Sequence, residues 1–74
     1  MQFEILKTVL NLGEMNDKGW IKQVNLVKWN GKNPVYDIRK WHYTEDGIAD
    51  NMSKGISLQD NEWNTLVDFI QKGE

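Results

Sequence analysis

The sequence predicts an α+β fold, a four-stranded sheet carrying one C-terminal helix. Three observations lead there. Apolar and polar residues alternate through stretches rich in β-branched and aromatic side chains, turn-forming residues separate those stretches, and helical spacing of apolar residues occurs only near the C-terminus.

Residues 3–12, Phe-Glu-Ile-Leu-Lys-Thr-Val-Leu-Asn-Leu, make the first strand, and the polar stretch from Gly13 to Gly19 turns the chain. Residues 20–29 make the second. Asn30-Gly31-Lys32-Asn33-Pro34 follows as a strong turn, because Asn-Gly favours positive φ. Residues 35–43 form the third strand, Thr44 to Met52 an acidic loop, and residues 53–58 a short fourth strand. The helix covers residues 60–72. Gln59 with Glu62, or Ser57 with Asp60, supplies a partial capping box, and Gly73 ends it. Trp63, Leu66, Val67 and Ile70 fall at i, i+3, i+4 and i+7 as one apolar stripe, widened by Phe69. One helix covers one face of a sheet, so the other face is expected to be bare and functional.

Seventy-four residues make one small domain, 1–74, with a modest core. There is no cysteine and a single histidine, His42, which excludes disulfide scaffolds and zinc modules. No metal and no cofactor is expected: Glu45, Asp46 and Asp50 lack the ordered spacing of a calcium loop. Neither a basic leader nor a long apolar run is present, so a cytoplasmic protein without membrane attachment is expected. Small cores gain stability from a second copy, which points to a homodimer. Nucleophilic signatures and phosphate loops are missing, so the chain is not expected to be an enzyme or to take a small-molecule substrate.

The formal charge of −2 conceals its distribution. Residues 18–43 carry Lys18, Lys22, Lys28, Lys32, Arg39 and Lys40 against Asp37 alone, while the flanking segments are acidic. The same third holds Trp20, Trp29, Tyr36, Trp41 and Tyr43. Strand alternation places Tyr36 and Ile38 with Val24 and Leu26, natural core partners beneath the helix. Gln23, Asn25, Trp29, Arg39 and Trp41 then line the opposite, bare face, with Lys28, Lys32 and Lys40 at its margin. Amides, a guanidinium and indoles suit unstacked bases, and cations follow phosphates. Two plainer roles compete: tryptophans on strands often serve the core, as is open for Trp20, and edge lysines often only block edge pairing. Asp37 is placed to orient Arg39.

Val35-Tyr-Asp-Ile-Arg-Lys-Trp-His-Tyr and Ser53-Lys-Gly-Ile-Ser-Leu-Gln-Asp-Asn-Glu-Trp-Asn-Thr-Leu resemble the C-terminal domain of the transcriptional positive cofactor 4 family. Gly19-Trp20, Asn25-Leu26-Val27, Trp29-Asn30-Gly31 and Tyr36 to Arg39 resemble more closely its small bacterial relatives, the YdbC-like single-stranded-DNA-binding proteins. The resemblance spans about residues 19–72. It implies a four-stranded antiparallel curved sheet followed by a helix, a homodimer through the helices (Trp63, Leu66, Val67, Ile70), and sequence-tolerant binding of single-stranded DNA. It places Trp29 at the position of a stacking aromatic in the hairpin and Lys32 at that of a hairpin lysine, and it matches Arg39 to the basic residue of the Asp-Ile-Arg motif and Lys54 to the lysine of Lys-Gly-Ile-Ser. The family's aromatic pair falls on Trp41 and His42. A histidine stands where the coactivators carry tryptophan, so stacking moves to Trp41 or Tyr43. The Ser-rich and Lys-rich tail of the eukaryotic coactivators is missing, so coactivation itself is not implied.

The expected function is single-stranded DNA binding in replication, repair or transcription, by stacking and phosphate neutralisation. The expected interface is Gln23, Asn25, Lys28, Trp29, Lys32, Arg39, Trp41, Tyr43 and Lys54. The alternatives are a protein-interaction module using the bare sheet face, and RNA binding.

Overall fold

A computed structural model describes residues 2–73. Strands β1 (Phe3–Asn11), β2 (Trp20–Trp29) and β3 (Val35–Tyr43) form an antiparallel meander, followed by β4 (Ala49–Met52), β5 (Ile56–Leu58) and helix α1 (Asp60–Lys72). The sheet order is β1-β2-β3-β4, with β5 also paired to β3. The result is a curved open antiparallel sheet with one C-terminal helix.

The β2–β3 turn works as its composition predicts. Asn30 and Gly31 both take positive φ, 49° and 75°, and Lys32 N–H bonds to the Trp29 carbonyl at 2.9 Å.

The acidic loop and fourth strand require correction. Ala49–Met52 already pairs with β3, and the strand expected from residue 53 resumes only at Ile56. Both pieces run along the same edge of β3. Between the Met52↔Trp41 and Ile56↔Ile38 pairs, three residues, Ser53 to Gly55, oppose two, Arg39 and Lys40. This is a bulge, and it bends the edge strand. Gly55 is required there, because a Cβ would lie 2.3 Å from Arg39 Cβ and 2.5 Å from the Ile38 carbonyl oxygen.

The second correction concerns the bare face. Phe3 on β1 and Trp41 on β3 bring their ring centroids to 4.9 Å, although β2 lies between their strands. Neighbouring strands are about 4.8 Å apart, so a flat sheet would hold these rings about 10 Å apart. The sheet therefore curls, with the face away from the helix on the inside. Register shifts in β1, between Ile5 and Lys7 and between Thr8 and Leu10, allow the curl. Inside it lie Ile21, Val27 and Trp41, with Gln23, Asn25 and Asp37, all buried. This face is the core rather than a bare surface.

The helix packs on the convex side, against β3 and β5 only. Trp63 stacks on Tyr36 at 4.2 Å and 13°. Glu62 Oε1 accepts the Gln59 N–H at 2.8 Å, so of the two possible caps it is Gln59 with Glu62 that forms. Gly73 closes the other end through N–H bonds to the Phe69 and Ile70 carbonyls. No helix residue is buried, and Phe69 and Ile70 remain 59% and 65% exposed.

Candidate nucleic-acid interface

The helix is too short to cover the convex face, and the uncovered part carries the lysines. Lys22 and Lys40 are direct cross-strand partners. With Ile38, Arg39, Ser53 and Lys54 they line a depression of about 400 Å³. Ion pairs among the described residues are Arg39–Asp37, His42–Asp50 and Lys72–Asp68, so these three lysines carry uncompensated charge. Like charges directly opposite on a sheet repel, and an anion laid across them relieves the repulsion.

The next convex pair toward the strand ends is Trp20 opposite His42, with ring centroids 5.3 Å apart. His42 Nδ1 meets the Asp50 carboxylate across the irregularity between β3 and β4. That hydrogen bond, reinforced by the carboxylate charge, outweighs partial burial and holds the imidazole pKa above its ordinary 6.5.

The bulge positions Lys54 and Arg39. Ser53 Oγ accepts the Lys40 N–H at 3.1 Å, which pins the crossing segment to β3. Arg39 donates from Nε and Nη2 to the two Asp37 oxygens, both at 2.7 Å, and Ser57 Oγ donates to Asp37 at 2.8 Å. The buried Asp37 thus orients the guanidinium, as its place beside Arg39 on one strand face suggested. Arg39 Cζ lies 4.7 Å from the Trp29 ring centroid. Trp29, Asn30, Arg39 and Ser57 line a second depression of about 280 Å³. Arg39 borders both depressions and joins the lysine surface to the half-buried Trp29 ring. Lys32, exposed, follows in the adjoining turn.

The structure therefore brings together Trp29, Arg39 and Lys54, with Lys32 one turn away. It does not bring the other expected residues to that surface. Trp41 is fully buried between Phe3 and Trp29, and no base can reach its ring. Gln23 and Asn25 are buried and bonded to each other, Asn25 Nδ2 donating to Gln23 Oε1 at 3.0 Å. Lys28 lies on the convex face opposite Glu4 on β1. Tyr43 is half-buried at the far end of β3, its hydroxyl donating to Gln23 Oε1 at 2.7 Å. Sequence reading placed Lys40 at a margin, gave Lys22 no place in the interface, left Trp20 open between core and ligand, and gave His42 no ligand role. A signal was present: Lys22, Lys28 and Lys40 share strand parity with helix-facing residues, and three lysines do not belong beneath a helix.

Among the described residues no group of three or more His, Asp or Glu is placed to hold a metal ion, and no helix is long and apolar enough to cross a membrane.

A curled antiparallel sheet with one C-terminal helix and a basic, aromatic-bearing outer surface defines the class of this chain, a small α+β domain with a polyanion-compatible face. The family described as Transcriptional Coactivator p15 (PC4) matches residues 16–69, well over half of the chain, and the chain belongs to it. Its members are nucleic-acid-binding, non-enzymatic domains, and membership suggests single-stranded DNA binding and a transcription-related role. No curated protein matches the chain.

Proposed function

We propose that the protein binds single-stranded DNA without strict sequence preference. The backbone follows Lys22, Lys40 and Lys54, and bases stack where Arg39 and Trp29 meet. The directly opposed, uncompensated Lys22 and Lys40 carry this reading, because their arrangement is unfavourable until polyanionic phosphate occupies it. A planar guanidinium held by a buried carboxylate is a rigid surface for an unstacked base.

The active species in this reading is a homodimer. Leu66, Phe69 and Ile70 leave an apolar helix stripe uncovered, and a second copy's helix is the simplest cover. The four short signature blocks support a place among the YdbC-like bacterial members, and a cytoplasmic setting goes with that reading. Strand protection during replication, repair or transcription is the corresponding role.

A second reading, a protein-docking module, draws on exposed Leu6, Leu10 and Leu12 at the β1 edge. Titration of tryptophan fluorescence with oligothymidylate, oligouridylate and duplex DNA at two salt concentrations separates the possibilities. Single-stranded DNA should bind, with log K falling against log[salt] by about 0.7 per phosphate neutralised. A response to no oligonucleotide rejects the reading in favour of protein docking, and a preference for oligouridylate reassigns the site to RNA.

A further inference from the structure

The geometry points to a base-recognition pocket on the concave side, at the end of the sheet opposite Trp29, that takes bases bearing an exocyclic amino group. It rests on the single-stranded DNA reading above. The pocket is a depression of about 560 Å³ bordered by Asn11, Met15, Ile21, Gln23, Tyr43 and Glu45, within the range of small-ligand sites. Ile21 and Tyr43 adjoin Trp20 and His42 in sequence. The pocket mouth therefore lies at the same strand ends as that convex pair, on the other side of the sheet. A strand crossing the lysine surface can turn one base over this rim.

The floor is a locked polar relay. Tyr43 donates its phenolic proton to Gln23 Oε1 at 2.7 Å, Asn25 Nδ2 donates to the same oxygen at 3.0 Å, and Gln23 Nε2 donates to Asn11 Oδ1 at 2.9 Å. These bonds decide what remains for a ligand. The Asn11 carbonyl is used inward, leaving its amide N–H groups as donors. The Tyr43 proton is used inward, leaving the hydroxyl oxygen as an acceptor. Glu45 adds a carboxylate acceptor at the rim, and no cation borders the pocket, so phosphate is excluded. Besides the Thr8 and Thr44 hydroxyls, which can serve either way, these two acceptor groups and one donor match an edge with an amino group beside a ring acceptor. Cytosine presents that edge, and carboxylates accept from its N4. Thymine presents two carbonyls flanking a single N–H, which sets its oxygens against Glu45. Asn11 lies outside residues 16–69, the segment matched by the family.

The test compares oligodeoxycytidylate with oligothymidylate of equal length, at a pH above about 7.5 where cytosine does not form hemiprotonated pairs, on the wild-type protein and on Asn11→Ala and Glu45→Gln. Both substituted residues are exposed, so the variants should fold, and near-ultraviolet circular dichroism checks this. Wild type should favour the cytosine strand by about fivefold or more. Each variant should bring the ratio close to one while retaining oligothymidylate binding. Equal affinity of wild type for the two strands overturns the pocket and leaves the single-stranded DNA reading standing, as does a ratio unchanged in both variants. Failure to bind either strand overturns both.

Discussion

Asp37 and Arg39, two residues apart on one face of β3, are joined by two parallel hydrogen bonds of 2.7 Å, with the carboxylate fully buried and the Arg39 side chain only 13% exposed. The pair converts a flexible side chain into a fixed plane beside Trp29. Removing the carboxylate leaves a largely buried cation unpaired and Ser57 without its acceptor. Asp37→Ala should therefore lower unfolding free energy in urea by about 3–5 kcal/mol.

Gly55 lies where the bulged edge strand touches β3. Gly55→Ala places a methyl group against Arg39 Cβ and the Ile38 carbonyl, which cannot both withdraw. A loss of about 1–3 kcal/mol in urea denaturation is expected, with weakened oligonucleotide binding because Arg39 and Lys54 shift together.

Lys22 and Lys40 trade stability for binding. Lys40→Ala should raise unfolding free energy by about 0.2–1 kcal/mol, by relieving a like-charge cross-strand pair. The same change should reduce the salt slope of oligothymidylate binding by about 0.7. Measuring both on one variant separates an anion site from surface lysines that hold no ligand, since an unchanged salt slope rules out the anion site; both strands are paired on each side, so neither lysine guards a sheet edge.

His42 makes stability depend on pH in a defined direction. Its folded pKa is raised by the Asp50 hydrogen bond, so the contribution is fully present below the unfolded value of 6.5 and is lost as pH rises through the folded pKa. The urea midpoint of wild type should fall as pH increases above 6.5, relative to Asp50→Asn. The imidazole NMR titration should move down toward 6.5 in that variant.

Two tryptophans should separate by role. Trp41→Ala removes a fully buried ring and should lower stability by about 3–5 kcal/mol. Trp29 is half-buried at a surface depression. Trp29→Ala should weaken oligothymidylate binding by about 1–3 kcal/mol when the folded fraction is held constant.

Local patterns made most elements legible. Asn30-Gly31 named its own turn, the i, i+3, i+4, i+7 stripe located the helix, and strand parity grouped Asp37 with Arg39 and Val24 with Ile38 correctly. The β4–β5 edge was harder to read, because a bulge breaks the alternation that marks a strand and puts Ser53 to Gly55 where pairing was expected. Exposure of the candidate interface residues was partly legible. Trp29, Lys32, Arg39 and Lys54 reach the surface, whereas Trp41, Gln23 and Asn25 have the same residue types and the opposite fate.

From sequence alone came the order of strands, the division of side chains between two faces and the basic middle third, since each depends on near neighbours in the chain. Tertiary structure alone decided which face became interior. Alternation assigns a residue to a side but carries no information on curvature. Here curvature arises from bulges in β1 and from Phe3 reaching Trp41 over an intervening strand, and it closes one face while leaving the lysines of the other exposed.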